Sequence, residues 1–414
     1  MRLKTRQRQR RPQARSKASQ RHKNAAERET MECFELIAPC HFGLEAILKK
    51  EITDLGYDVS CVEDGRVTFV GDNEAIARVN IWSRTAERVL VKLGSFHAES
   101  FEELFQGTKA LPLEKWIPAE GKFWVAKAAS VKSKLFSPSD IQSIMKKAMV
   151  DRLGQVYHIE WFKEDGADYP IRVFIKKDEV TVGLDTTGES LHKRGYRKLT
   201  AKAPIAENLA AALLMLTPWR ADRILVDPFC GSGTFPIEAA LMAANVAPGY
   251  RRSFTAEKWL NVMPTETWAY AREEAEDEID KDIKTDIQGY DIDPKMSEIA
   301  RTNAKLAGVD GLIHFQTRPV SELSHPKKYG FIVTNPPYGE RLEEKSELPE
   351  LYKVLGERYM ALDSWSMYLI TSYEDVQKYI GRKADKNRKI YNGMLKTYFY
   401  QYMGPKPPKR NSTS

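Results

Sequence analysis

The 414-residue sequence has no run of about 18 apolar residues, so nothing in it reads as a membrane-spanning helix. Its N-terminus is basic and polar with no apolar stretch behind it, so no secretory signal is expected. The four cysteines, Cys33, Cys40, Cys61 and Cys230, form no Cys-x-x-Cys pair, so neither a zinc ribbon nor a disulfide framework is supported. A reduced, cytoplasmic setting without a bound metal is the expectation. No internal repeat is present.

Excess charge is also scarce outside one end. The formal charge is +7, yet residues 1–30 hold eight Arg and three Lys against Glu27 and Glu29, a net of +9, which leaves −2 on the rest. Any nucleic-acid surface on the folded part must therefore be a local patch. The tail, with Arg6, Arg8, Arg10, Arg11 and Arg15 among Gln and Ser, lacks apolar periodicity and is expected to be disordered. Two readings stand for it: an arm that condenses on phosphate, or sequence upstream of a start at Met31.

From Met31 the pattern predicts strand Cys33–Ile37, a helix through Leu44, Ile47, Leu48 and Ile52, and strands 59–62 and 66–70 around a turn at Asp64-Gly65. A helix through Ala75, Ile76, Val79 and Trp82 and a strand from Val89 to Leu93 follow. Residues 99–152 continue with helix, strand (Phe123 to Ala129) and helix; strands 171–175 and 180–184 close the region. This is a small α+β module. Its Lys132, Lys134, Lys146 and Lys147 lie near Phe136 and a Ser137-Pro138-Ser139 helix start, suited to phosphate contacts or simply a solvated lysine face. His192, Lys193, Arg194, Tyr196 and Arg197 make a second basic stretch at the joint, where they grip a nucleic-acid backbone or form a solvated linker.

The second half alternates strand and helix. Strands are read at 223–226, 286–290, 312–315, 331–333, 366–370, 389–391 and 396–402, with helices at 204–216, 235–244, 295–307 and 350–360. The fold class is α/β, a doubly wound, mostly parallel sheet ending in an antiparallel pair around Asn392-Gly393. Residues 249–285, with Trp259 and Trp268, look like a helical element inserted near the mouth of the sheet.

Three strand ends carry chemistry. The first opens into Asp227-Pro228-Phe229-Cys230-Gly231-Ser232-Gly233-Thr234, where small residues admit a ligand close to the backbone. No Lys-Ser/Thr follows Gly233, so this is not a Walker loop, and Asp227 would repel pyrophosphate but suits an amino group. The second ends at Asp291, placed to accept ribose hydroxyls, before Asp293-Pro294 start a helix. Together they want a nucleoside at one end and an amino acid at the other, which describes S-adenosylmethionine. The third is Phe331-Ile332-Val333 halted by Asn335-Pro336-Pro337-Tyr338, since two prolines cannot continue a ladder. That corner offers a carboxamide, a free carbonyl at Pro336 and an aromatic ring, suited to a planar base with an exocyclic amine.

These runs resemble the first, second and fourth motifs of class I methyltransferases acting on exocyclic amines. Leu191-His192-Lys193-Arg194-Gly195-Tyr196-Arg197 resembles the signature joining a THUMP domain to its catalytic domain. The sequence is similar, from Met31 to about Met403, to the bacterial THUMP-containing large-subunit rRNA guanine-N2 methyltransferases, often labelled adenine-specific DNA methylases. The resemblance implies a ferredoxin-like segment at 31–95, THUMP at 96–187, a basic linker at 188–203, a seven-stranded methyltransferase domain at 204–403 and a tail at 404–414. It implies cofactor binding at Asp227, Pro228, Phe229, Gly231, Gly233, Thr234, Asp291 and Ile292, with Ala203 and Pro204 ahead of them, and catalysis at Asn335, Pro336, Pro337 and Tyr338. The family's usual acid at the third strand end is missing, since Arg318-Pro319-Val320 stand there.

The implied reaction is methyl transfer to guanosine N2 in structured RNA, ribosomal RNA first and tRNA second. An adenine-N6 methylase of DNA or RNA shares the corner, and a non-catalytic RNA-binding assembly factor is the remaining alternative.

Overall fold

The computed structural model describes residues 32–198, 204–339, 342–393 and 395–408, with the side chains of 342–345 outside the description. The predicted N-terminal tail, Ala203 and the last six residues lie outside it too.

The first half is built from β1 (Phe34–Pro39), α1 (Glu45–Asp54), β2 (Asp58–Glu63), β3 (Arg66–Gly71), α2 (Asn73–Trp82) and β4 (Leu90–His97). Then come α3 (Phe101–Lys109), β5 (Lys122–Val131), α4 (Pro138–Tyr157), β6 (Asp168–Lys176) and β7 (Glu179–Asp185). The β2–β3 hairpin turns at Gly65, whose φ of +75° a side chain would strain. A capping box, Ser100 with Glu103, starts α3, and Ser137 caps α4 ahead of Pro138. All seven strands join one sheet, in the order β2-β3-β1-β4-β7-β6-β5. The two parts of the module are thus fused through β4–β7 pairing, and β4 itself runs across residue 95.

The second sheet contains β8 (Leu225–Asp227), β9 (Ile287–Asp291), β10 (Ile313–Thr317), β11 (Phe331–Thr334), β12 (Ser366–Thr371), β13 (Lys386–Asn392) and β14 (Leu395–Tyr402). Its order is β10-β9-β8-β11-β12-β14-β13, parallel as far as β12, with β14 antiparallel to both β12 and β13. The helices are α5 (Glu207–Met215), α6 (Thr234–Ala243), α7 (Thr265–Asp277), α8 (Pro294–Ala307), α9 (Leu342–Met360) and α10 (Val376–Ile380). The strand order reverses between β8 and β11, so the carboxyl ends of those two strands flank the crevice where such sheets bind ligands. Among the described residues no helix is long and apolar enough to cross a membrane.

Two expectations are corrected. The helix read from Pro204 begins at Glu207, because Ala206 is still extended (φ −66°, ψ 141°). The insert at 249–285 does not sit at the mouth of the sheet; it completes the core of the N-terminal module. Trp259 stacks on Tyr169 at 5.0 Å and its Nε1–H donates to the Asp168 carbonyl at 2.8 Å. Trp268, Ala271 and Ala275 form the buried stripe of α7, while Arg78 of α2 holds Glu274 through two hydrogen bonds of 2.8 and 2.9 Å. The indoles need apolar cover, and the N-terminal sheet supplies it. In the reverse direction Leu44 packs in the core of the second sheet, and Arg388 Nη1 donates to the Gly43 carbonyl at 2.8 Å.

Candidate active site

After Asp227 the chain turns through Gly231 (φ +51°) and Gly233 (φ +87°), the latter capping α6. A Cβ at Gly233 would come within 3.2 Å of Ala300, Phe315 and Ile237, so glycine is required there on both counts. At Gly231 a Cβ would meet nothing within 4 Å, because its backbone faces an open cavity. Asp227 is almost fully buried at 1 % exposure. Its Oδ1 accepts from the Phe229 N–H at 3.1 Å and from the Thr334 hydroxyl at 2.6 Å, which ties β8 to β11. Burial raises its pKa to about 7, with the charge of Asp291 adding to the shift. Asp227 thus stands as a buried acid at the rim of the cavity, without a cationic partner in an ion pair among the described residues.

Asp291, at the end of β9, accepts from the Gly231 N–H at 3.0 Å and the Asp293 N–H at 2.9 Å, and burial raises its pKa. Each oxygen accepts one of these bonds and keeps a further lone pair. Asp293 accepts from the Lys295 N–H at 2.9 Å and so caps α8. At the end of β10, Pro319, Val320 and Ser321 line the cavity. Arg318 turns away, donating to Ser324 Oγ at 3.0 Å and lying over the Tyr290 ring.

The strand β11 ends at Thr334, and Asn335 starts the corner. Pro336 is buried, Pro337 exposed, and Asn335 and Tyr338 half-buried. The Tyr338 hydroxyl donates to Asn335 Oδ1, fixing the carboxamide with its oxygen identified as an acceptor. One cavity of about 1050 Å³ is lined by Pro204, Asp227, Pro228, Phe229, Gly231, Thr234, Asp291 and Ile292 together with Asn335, Pro336, Pro337 and Tyr338. It has room for a nucleoside amino acid and a second base. Gly233 does not line it but shapes the turn, and Ala203 lies outside the described residues.

The basic residues divide. Lys132 and Lys147 are exposed, Lys134 pairs with Glu99, and Lys146 donates to the Phe123 carbonyl at 2.6 Å and pairs with Glu164. Lys193 is exposed with Glu189 at 3.6 Å, and burial holds the His192 imidazole down at about 4, hence neutral. Arg194, Tyr196 and Arg197 are corrected: they face inward rather than toward a nucleic-acid backbone. Arg194 is buried, donating to the Leu191 carbonyl at 2.6 Å with its Nε 3.6 Å from Glu238. Tyr196 donates to the same carboxylate at 3.0 Å, and Arg197 holds Glu207 at 2.9 Å and the Ile205 carbonyl at 2.8 Å. Two carboxylates on α5 and α6 pull the linker cations in.

Sequence reasoning missed Thr334, Tyr352 and Thr371. Thr334 stands beside Asn335 and was within reach of a local reading; Tyr352, on a helix, and Thr371, at the end of β12, give no local signal.

A doubly wound sheet with this crevice and an Asn-Pro-Pro-Tyr corner on its cavity defines a class I methyltransferase. Residues 194–401 match the family described as RMKL-like, methyltransferase domain, residues 35–90 the RlmL ferredoxin-like domain and residues 98–185 the THUMP domain. The chain belongs to this RMKL-like methyltransferase family. It is 45 % identical over 387 residues to YpsC of Bacillus subtilis (strain 168), which bears a provisional RNA methyltransferase name, covering 92 % of this chain and 99 % of that one. It is 34 % identical over 378 residues to the Ribosomal RNA large subunit methyltransferase K/L of Cellvibrio japonicus (strain Ueda107), covering 87 % of this chain but 50 % of that protein. The chain thus spans about half the length of the K/L relatives. Among solved structures, a possible methylase from Clostridium difficile 630 superposes with a TM-score of 0.88 at 51 % identity, covering 92 % of this chain and 100 % of that one. SMU.472, given provisionally as a methyltransferase and complexed with SAH, has a TM-score of 0.85 at 43 % identity, covering 91 % and 100 %.

Proposed function

We propose that the protein methylates the exocyclic N2 amine of a guanosine in structured RNA, ribosomal RNA in the first instance, with S-adenosylmethionine as donor. The observation that carries this is the single cavity shared by the two carboxylates, Asp227 and Asp291, and the corner Asn335–Tyr338. The donor set fits the cofactor: Asp227 faces its ammonium, Asp291 its ribose, and the bare backbone at Gly231 leaves room for the chain between them. When bound, S-adenosylmethionine supplies an electrophilic methyl group on a sulfonium. Asn335 Oδ1 and the Pro336 carbonyl accept the two N–H bonds of the target amine, turning its lone pair out of the ring plane, while Tyr338 holds the base out of its stack. An aromatic amine is too weakly basic to be protonated beforehand, so the site needs no strong general base, and the proton leaves to solvent after transfer.

The THUMP match and the names of the K/L relatives support RNA as substrate. The test offers stripped ribosomal RNA and duplex DNA side by side with methyl-labelled cofactor, followed by nucleoside analysis. N2-methylguanosine in RNA is expected; N6-methyladenine in DNA would overturn the assignment.

A further inference from the structure

The outward face of the last hairpin carries a pattern that neither the fold nor the corner chemistry uses. In the β13–β14 register Lys389 stands opposite Tyr398, and Tyr391 opposite Lys396. The alternation of a strand puts these four on one face, while Ile390, Thr397 and Phe399 on the other are fully buried. The result is a checkerboard of two cations and two rings. Lys389 Nζ lies 5.1 Å from the Tyr391 ring centre and Lys396 Nζ 5.3 Å from that of Tyr398. Both lysines are exposed and both tyrosines half-buried.

This face is placed beside the amine corner. β12 pairs only with residues 398–402 of β14, so the rung of Tyr391 and Lys396 projects past the carboxyl edge of the sheet. Tyr398 is the register partner of Thr371, whose Oγ1 is 2.7 Å from the Tyr352 hydroxyl; that hydroxyl in turn meets the Pro337 carbonyl at 3.1 Å. The Tyr352 ring also starts a stack, 5.1 Å to Tyr373 and on from Tyr373 6.1 Å to Tyr379, over which Lys378 sits. Exposure rises along it, from Tyr352 at 0 % to the half-buried outer two.

Lysine alone would suffice to keep an edge strand such as β13 from pairing with another sheet. Tyrosines between the lysines do not serve that end. Cations interleaved with half-exposed rings are what a single strand needs: the ammonium takes the phosphate, and the ring takes the base. We infer that this hairpin face, with Lys378 and Tyr379, binds the unpaired RNA nucleotides next to the target base. The inference rests on the RNA reading above. In the free protein each ammonium covers a ring by cation–π attraction, and a phosphate draws it off and bares the ring. The acid whose charge reaches Lys396 is Glu374, exposed at the surface.

The test compares the wild type with Lys389→Gln/Lys396→Gln and with Tyr391→Ala, binding stripped ribosomal RNA at several salt concentrations. The lysine pair should flatten the slope of log affinity against log salt by about 1.4, two single-strand phosphate contacts. Tyr391→Ala should weaken binding about fivefold or more. Affinity for S-adenosylhomocysteine and the melting temperature should not move, and Lys389→Arg/Lys396→Arg should keep the wild-type slope. Unchanged RNA affinity and slope in both variants, with a wild type that methylates the RNA, would overturn the surface alone. A wild type that leaves the RNA unmethylated would overturn the functional reading and this surface with it.

Discussion

The hydroxyl of Tyr352, a fully buried residue of α9, donates to the carbonyl oxygen of Pro337 at 3.1 Å. Consecutive prolines leave the corner with no N–H at 336 or 337, so it cannot be pinned through its own backbone donors. An outside donor must hold a carbonyl instead. Thr371, itself accepting from the Tyr373 N–H at 3.1 Å, sits 2.7 Å from the Tyr352 oxygen and completes the brace.

Tyr352→Phe keeps the ring on Tyr373 and removes only the hydroxyl. The hydroxyl's hydrogen bonds to the Pro337 carbonyl and to Thr371 are both lost, which predicts a turnover lower by about five- to tenfold. Binding of S-adenosylhomocysteine, measured by calorimetry, should stay as in the wild type. A residue that merely packs would lower the melting temperature and leave turnover intact.

Much of this site was legible locally. The strand ends at Asp227, Asp291 and Asn335 follow from apolar runs closed by glycine or proline, and their assembly follows from the parallel alternation that puts such ends on one edge. What could not be read is what depends on contacts distant in sequence. Arg194 and Tyr196 look like solvated cation and ring until Glu238, more than forty residues on, appears beneath them. Trp259 and Trp268 look like a lid of the near sheet, because nothing local tells which of two sheets will cover an indole. The brace from Tyr352 is of the same kind.

Asp227 should make cofactor binding depend on pH. Burial lifts its carboxyl from the ordinary value to about 7, so the empty protein favours the protonated form. That contribution to stability is full below about pH 4 and is lost as pH rises through about 7. An ammonium partner requires the carboxylate, so affinity for S-adenosylhomocysteine should weaken about tenfold from about pH 8 to about pH 6. Asp227→Asn should bind weakly at both and show a flat profile, as read by calorimetry.

Asn335 and Asp291 should separate chemistry from binding. Asn335→Ala removes one amine acceptor and the anchor of the Tyr338 hydroxyl, so methylation should fall by about 100-fold or more while S-adenosylhomocysteine still binds. Asp291→Ala should do the reverse first, weakening cofactor affinity about tenfold or more, because it removes the ribose acceptor and frees the Gly231 turn. Equal cofactor affinity in the Asp291 variant would remove that residue from the ribose.

The joint should fail through charge. Arg194 Nε and Glu238 Oε1 stand 3.6 Å apart with both side chains buried, and neither Arg194 Nε nor Glu238 Oε2 finds a hydrogen-bond partner among the described residues. Their attraction is therefore ionic, in a place where an unpaired charge is costly. Arg194→Leu should destabilise the protein by about 3 kcal/mol or more in chemical denaturation, since it leaves the buried Glu238 carboxylate only the Tyr196 hydroxyl and the charge of Arg84. Arg194→Leu combined with Glu238→Leu should lose less than the single change, because it also removes the carboxylate that Arg194 balances and leaves the buried Arg84 facing Glu51. Since Glu238 lies on α6, which opens at the Gly233 turn, the single variant should also weaken S-adenosylhomocysteine binding. Equal losses in the single and double variants would show that packing, not charge, holds the linker in place.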